Sequence, residues 1–200
     1  SDGSAVDALV HLGACSDTTE TDRDSIMSNN FDYTRGVWRW CTGHQKPFIY
    51  ASSAATYGDG SRGYDDQIDL SCFEPMNLYG QSKHRFDLWA LRQTEAPPRW
   101  AGVKYFNVYG PRESHKRRMA SMAHHWFNQI RQTGEARLFE SHRPGTAHGE
   151  QNRDFVYVGD AVDATLHLLN TPVSAARPNG LYNVGTGQAR TFVDLARAVF

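Results

Sequence analysis

Pro47-Phe48-Ile49-Tyr50-Ala51-Ser52-Ser53 decides the fold, because it changes character within one short run. Its first residues are apolar and aromatic, as in a parallel strand buried on both faces, and its end is small and hydroxylated, as where such a strand opens onto a site. Working outward, the stretch continues as Ala54-Ala55-Thr56-Tyr57-Gly58 and is followed by Tyr79-Gly80-Gln81-Ser82-Lys83. A helix from Tyr79, with Phe86, Leu88, Trp89 and Leu91 as apolar positions, is expected to close near Pro97-Pro98, and Val103 to Val108 reads as the next strand. Before the decisive stretch, Val6 to Leu12 reads as a strand. Asp24 to about Cys41 reads as a helix with Ile26, Met27, Phe31, Val37 and Trp38 towards the core. Strand and helix alternate, so the expected class is α/β with a doubly wound parallel sheet.

Beyond Val108 the alternation loosens. Pro111 to Arg118 is polar and basic, Met119 to about Thr133 reads as a helix stopped by Gly134, and Arg137 to Glu140 reads as a short strand. Ser141 to Asn152 is rich in Gly, His and Pro and is expected to be a loop, Phe155 to Val158 a strand, and Asp160 the N-cap of a helix over 161–169. Leu181 to Gly185 returns to a sheet, and Thr191-Phe192-Val193-Asp194 has the form of a capping box. The expected divisions are 1–110 for a dinucleotide-binding domain, 111–153 for a small mixed substrate-binding insertion, 154–185 for the return to the parallel sheet, and 186–200 for the start of a further helix.

Composition excludes several classes. A net charge of −1 argues against a broad nucleic-acid-binding face, and the longest apolar runs are far too short to span a bilayer. The three cysteines, Cys15, Cys41 and Cys72, are odd in number and widely spaced, which fits reduced thiols in the cytoplasm better than a zinc site or disulfides. His124 and His125 are adjacent and diverge by about 100° on a helix, and His142 and His148 lack neighbouring cysteines or paired carboxylates, so no metal site is expected.

The chemistry is concentrated in three places. Tyr79 and Lys83 lie four residues apart, on one helix face and about 6 Å apart along the axis, so both can reach one small site. Removing the proton of a secondary alcohol needs a base, and a free phenol with a pKa of about 10 is not one at neutral pH. Lowering that pKa by about 3 units corresponds to about 4 kcal/mol of phenolate stabilisation, which Lys83 and a nicotinamide cation could supply together. Ser53 would hold the substrate oxygen. The third place is Lys116, in the basic run His115-Lys116-Arg117-Arg118.

Four segments, His11 to Ser16, Tyr50 to Gly58, Tyr79 to Lys83 and Arg153 to Val158, resemble the extended short-chain dehydrogenase/reductases. Within that superfamily, Lys104 to Glu113 followed by His115-Lys116 and Met119 to His125 resembles the ADP-glyceromanno-heptose 6-epimerase family more than generic sugar-nucleotide epimerases. The resemblance implies a Rossmann-like fold and inversion at C6 of ADP-heptose, for the inner core of lipopolysaccharide, by transient oxidation with bound NADP, or alternatively NAD. It implies acid–base duty for Tyr79 and Lys116, with Ser53 and Lys83 in support; for Lys116 a solvated lysine facing the substrate diphosphate remains the alternative. It further implies cofactor contacts at Leu12, Gly13, Ala14, Cys15, Ser16, Asn29, Lys83, Val108 and Lys116. Substrate contacts are implied at Ser53, Asn107, Arg118, His125, Phe139, Glu140, Ser141, His142 and Arg153, and a homo-oligomer, pentameric in the family, is implied as well. Arg117 and Arg118 stand where the family can have Gly and Ser, and His142 follows Ser141 where Gly-Ser is frequent.

Two other readings remain open: a nucleotide-sugar 4-epimerase or dehydratase of the same superfamily, and a non-catalytic fragment. No Gly-x-Gly-x-x-Gly turn occurs near Ser1, and the apolar face begun by Leu195, Ala196 and Val199 is cut at Phe200, so truncation at both ends is expected. On that expectation residues 1–200 alone are inactive and bind NADP⁺ weakly. Calorimetry reads this directly, and a dissociation constant of about 1 μM or tighter would overturn it.

Overall fold

The computed structural model describes residues 5–200, which form two compact units: residues 5–105 with 163–183, and residues 106–162 with 184–200. The first unit is built on a sheet of strands β1 (Leu9–His11), β2 (Phe48–Ser53), β3 (Trp100–Tyr105) and β6 (Gly180–Val184), in the order β1-β2-β3-β6. β1 runs parallel to β2 with Leu9 opposite Phe48, and β2 runs parallel to β3 with Phe48 opposite Trp100 and Ser53 opposite Tyr105. Phe48, Ile49, Tyr50, Ala101 and Val103 are all buried, which is why these strands read as continuous apolar runs rather than as alternating ones.

The helix expected over 24–41 is continuous but not uniform. Helix α1 (Arg23–Met27) passes through a π turn at Ser28–Asp32 into helix α2 (Tyr33–Gly43). A π turn widens the ladder by one residue, and here it carries Asn30 and Phe31 into the interior, with Thr34 Oγ1 donating to the Asn30 carbonyl at 2.7 Å. Helix α3 (Leu78–Leu91) is capped by Asn77, whose side chain accepts from the Gly80 amide at 2.8 Å. Gly80 is required for packing: a Cβ there would lie 2.8 Å from the Ala55 carbonyl oxygen, so only glycine lets the first turn of α3 press against the short 3-10 turn Ala54–Tyr57.

Between sheet and helices lies an aromatic core. Trp38, 1% exposed, packs edge-on against Phe48, Phe86, Trp89 and Trp100 at centroid distances of 6.1, 6.2, 5.7 and 5.0 Å. Arg99 closes the far side of this unit, its Nε donating to the Leu168 carbonyl at 2.9 Å and Nη1 to that of Pro178 at 3.1 Å.

The second unit has its own sheet, β4 (Asn107–Tyr109), β5 (Asn152–Tyr157) and β7 (Ala189–Thr191), with β5 parallel to β4 and antiparallel to β7. The run expected as one strand over 103–108 is therefore two, since Asn107 to Tyr109 pair with β5 instead of extending β3. β5 likewise belongs here, and the chain rejoins the four-stranded sheet only at β6, whereas the sequence reading placed the return from 154. Helix α4 (Met122–Thr133) starts at its cap Ser121 and ends at Gly134, left-handed with φ 73°, as the glycine stop implies. Helix α5 (Val158–Asn170) follows β5 directly, so Asp160 lies in its first turn, where its charge suits the N-terminus, and is not the cap. Helix α6 (Phe192–Val199) opens with the expected Thr191–Asp194 capping box and packs Phe192 and Ala196 on Trp126.

No strand forms over Arg137 to Glu140. Its backbone groups are taken by side chains and a loop amide: Gln129 Oε1 accepts from the Arg137 amide, Trp126 Nε1 donates to the Arg137 carbonyl, Gly149 donates to Phe139, and Gln151 Nε2 to Glu140. With the carbonyls of Arg137, Phe139 and Glu140 already taken, no ladder forms along this segment. Truncating the centre of the aromatic core, Trp38→Ala, should destabilise the protein by about 3–5 kcal/mol, read as a lowered midpoint of chemical denaturation.

Candidate active site

In the first unit the end of β2 faces the start of α3. Ser53 and Tyr79 are half-buried, with the Ser53 side chain close enough to favour the Tyr79 phenolate, and Lys83 is 4% exposed with its Nζ donating to the Ala51 carbonyl at 2.7 Å. Three of the four residues expected to carry the chemistry, Ser53, Tyr79 and Lys83, thus share one small region. Burial pushes the Lys83 ammonium down to about 8, against the pull of the Asp87 carboxylate, so the residue is poised near neutrality.

Tyr79 departs from the sequence expectation. Burial raises its phenol above the ordinary value, the hydrogen bond from Ser53 works in the opposite direction, and the negative charge of Asp87 raises it further. The fall expected from Lys83 and a nicotinamide cation together is not produced by these residues alone. Ser53 also caps the Ala54–Tyr57 turn, its hydroxyl accepting from the Ala55 amide at 3.1 Å.

Leu12 to Ser16 follow β1, with Leu12, Gly13 and Ser16 exposed and Ala14 and Cys15 half-buried. Asn29 lies on the exposed face of the π turn and donates to the Ser25 carbonyl. The residue that binds this region together is its neighbour Asn30, which sequence reasoning passed over. Its side chain accepts from the Cys15 amide at 2.8 Å and donates to the Cys15 carbonyl and to Ser82 Oγ, both at 2.9 Å. Ser82 Oγ in turn donates to the Tyr79 carbonyl at 2.7 Å, so Asn30 couples the 12–16 segment to the first turn of α3. Nothing in the one-dimensional pattern distinguishes Asn29 from Asn30; only the extra residue of the π turn turns the second one inward.

In the second unit, Lys116 sits in the 3-10 turn Ser114–Met119, 42% exposed along its side chain, with Nζ 3.5 Å from Glu113 Oε2. Glu113 is 3% exposed and is a hub that sequence reasoning quoted without assigning: it accepts from the Gly110 amide at 3.0 Å, the Ser121 amide at 2.8 Å and Ser121 Oγ at 2.7 Å. Burial opposes its ionisation, but the bonds from Ser121 and Gly110 and the charge of Lys116 hold it below the usual carboxylate range. Arg117 adopts φ 50°, ψ −124°, a conformation that favours glycine, so this turn carries backbone strain beside Lys116.

The remaining implied substrate residues fall into small groups. His125 Nε2 is 3.3 Å from the Arg118 carbonyl, and Phe139 and the Arg153 guanidinium both meet the Phe192 ring, at 4.9 and 5.6 Å. Asn107 Nδ2 donates to the Asp154 carbonyl at 3.1 Å, Val108 is half-buried in β4, and the Ser141 amide donates to His148 Nδ1. Glu140 and His142 are exposed. Among the described residues no group of three or more His, Cys, Asp or Glu could hold a metal ion, and no helix is long and apolar enough to cross a membrane.

A parallel α/β sheet with a serine at a strand end and a Tyr-x-x-x-Lys pair on the following helix defines a Rossmann-like protein. The chain belongs to the NAD dependent epimerase/dehydratase family, whose model matches residues 2–185. It is 50% identical over 196 residues to an ADP-L-glycero-D-manno-heptose-6-epimerase of Fusobacterium nucleatum, covering 96% of this chain and 58% of that protein. It is also 50% identical to the enzyme of the same name from Nitratidesulfovibrio vulgaris, covering 98% of this chain and 59% of the relative. Among solved structures it resembles the Helicobacter pylori ADP-L-glycero-D-manno-heptose-6-epimerase, with a TM-score of 0.81, 32% identity, and coverage of 96% of this chain and 57% of that one. The chain thus spans less than two thirds of the length of these relatives.

Proposed function

We propose that this chain carries the acid–base residues of an ADP-L-glycero-D-manno-heptose 6-epimerase, acting on a nucleotide sugar with NADP, or alternatively NAD, in a cytoplasmic homo-oligomer. The observation that carries the reading is the placing of Ser53 and Tyr79 beside the buried Lys83, which is tied to the Ala51 carbonyl near the end of β2, in a chain half identical to proteins of that name.

The donor set suits a dinucleotide: Lys83 keeps further N–H groups beyond the one given to Ala51, a good match for ribose hydroxyls. When bound, a nicotinamide supplies hydride acceptance and return at the carbinol carbon. This chain's residues handle the proton. Ser53 donates a hydrogen bond to the substrate oxygen, Tyr79 takes and returns the hydroxyl proton, and the protonated Lys83 favours the phenolate form that makes Tyr79 a base. Inversion needs proton transfer for both hands of the carbinol, and the second duty is assigned to Lys116, with Glu113 holding its turn.

Tyr79→Phe keeps shape and packing but removes the transferring group, so turnover of the intact enzyme should fall about 10²- to 10⁴-fold with little loss of stability. Near-normal turnover in a folded variant would remove Tyr79 from the mechanism. Lys116→Met should abolish interconversion of the two ADP-heptose epimerides while reduction of a 6-keto analogue through Tyr79 survives. Steady-state kinetics with both epimers decide it, because a pure binding role raises KM and leaves kcat unchanged.

A further inference from the structure

Tyr79, Lys83 and Asp87 fall at i, i+4 and i+8 on α3, and so share one face of the helix. Asp87 is 0% exposed and meets an equally buried lysine from β3: Lys104 Nζ lies 2.7 Å from Asp87 Oδ2. Oδ2 also accepts from Ser52 Oγ at 2.6 Å, and Oδ1 accepts from Tyr50 Oη at 2.9 Å. Lys104 donates its other bond to Thr56 Oγ1 at 2.7 Å and sits 5.1 Å from the centre of the Tyr57 ring, while Thr56 Oγ1 donates to the Ser53 carbonyl at 2.8 Å. Each residue at the end of β2 is therefore gripped by this group: Ala51 by Lys83, Ser52 by Asp87, and Ser53 by Thr56, which Lys104 holds.

Desolvating two charges is expensive, and well-packed apolar residues of similar volume are often as stable or more so, so stability alone is a poor reason to keep this pair. Resting on the assignment of Tyr79 and Lys83 above, we propose that Asp87 and Lys104 are positioning residues: a buried ion pair that fixes the end of β2 against α3 and sets the charge felt by Tyr79 and Lys83. The carboxylate of Asp87 raises both of those groups, and Lys104, 2.7 Å from that carboxylate, is the buried cation that faces it. The other titratable groups around Lys83 and Asp87 are His11 on β1, Tyr50 on β2, Tyr57 in the following turn and His84 on α3. Of these, His11 and His84 are pushed down by burial and Tyr50 and Tyr57 pushed up, which keeps all four uncharged at neutral pH, while Asp66 and Asp65 add their charge at Tyr57.

The test uses the sign of charge, which a purely structural role would not reproduce. In the intact enzyme labelled with ¹³Cε-lysine, the Lys83 signal, assigned by its loss in Lys83→Arg, gives the midpoint of its titration, and the pH profile of kcat/KM gives the acid limb. Asp87→Asn should lower both by about one unit, Lys104→Met should raise both, and the double variant, which removes the pair as a neutral unit, should return close to the wild type. Should Lys104→Met fail to fold, the isosteric Asp87→Asn and the double variant decide it between them. Shifts of one sign in both single variants, or a midpoint that Asp87→Asn leaves in place, overturn the proposal. Opposite shifts of the Lys83 midpoint in a protein that does not epimerise would instead sink the functional reading and leave this one standing.

Discussion

The end of β2 is polar and buried at once, and much of the first unit is arranged around that conflict. Ser52, Thr56, Lys83, Asp87 and Lys104 are each no more than 4% exposed, and each makes at least one hydrogen bond to another member of the group or to a carbonyl of the strand. A buried polar atom without a partner costs about 1–3 kcal/mol, so such a network either closes or destroys the packing around it. Here each buried member finds a partner, and the position of Ser53 at the strand end is held by these bonds.

The aromatic core supplies the rigidity that this arrangement needs. Phe86 is the element shared by both, since it packs on Trp38 and lies edge-on to Tyr50 at 4.8 Å, while Tyr50 donates to Asp87 through its hydroxyl. One tyrosine thus belongs to the apolar cluster by its ring and to the ionic network by its oxygen, a use to which phenols are suited. The second unit solves a similar problem with a single carboxylate. Glu113 gathers the Gly110 amide, the Ser121 cap of α4 and Lys116, so the strained turn at Arg117 is held from both ends.

Much of this was legible in the chain. The buried strands read as apolar runs, Gly134 stops α4, and the Thr191–Asp194 box appears where its spacing predicts, whereas the caps Asn77 and Ser121 emerge only in the structure. Other features were not. Arg137 to Glu140 has the composition of a strand and none of the ladder, and Gln129, Trp126 and Gln151 take backbone groups at its two ends. The division of 103–109 into strands of two different sheets follows from which partner each half finds, and partners are remote in sequence.

Local rules with fixed periods, namely the strand's apolar run, the i, i+4 spacing of Tyr79 and Lys83, and the residues that start and stop helices, operate within a few positions, and the sequence by itself determined everything that depends on them. That includes the α/β class, the Ser53–Tyr79–Lys83 constellation and the family. Only the tertiary structure decided the rest, because burial and charge act through space. It turned Asn30 inward in place of Asn29, set Asp87 against Lys104 across 17 residues of chain, raised the Tyr79 phenol and lowered the Lys83 ammonium to about 8. An ionisable group responds to the dielectric and the charges within a few ångströms, and a linear chain does not say which residues those will be.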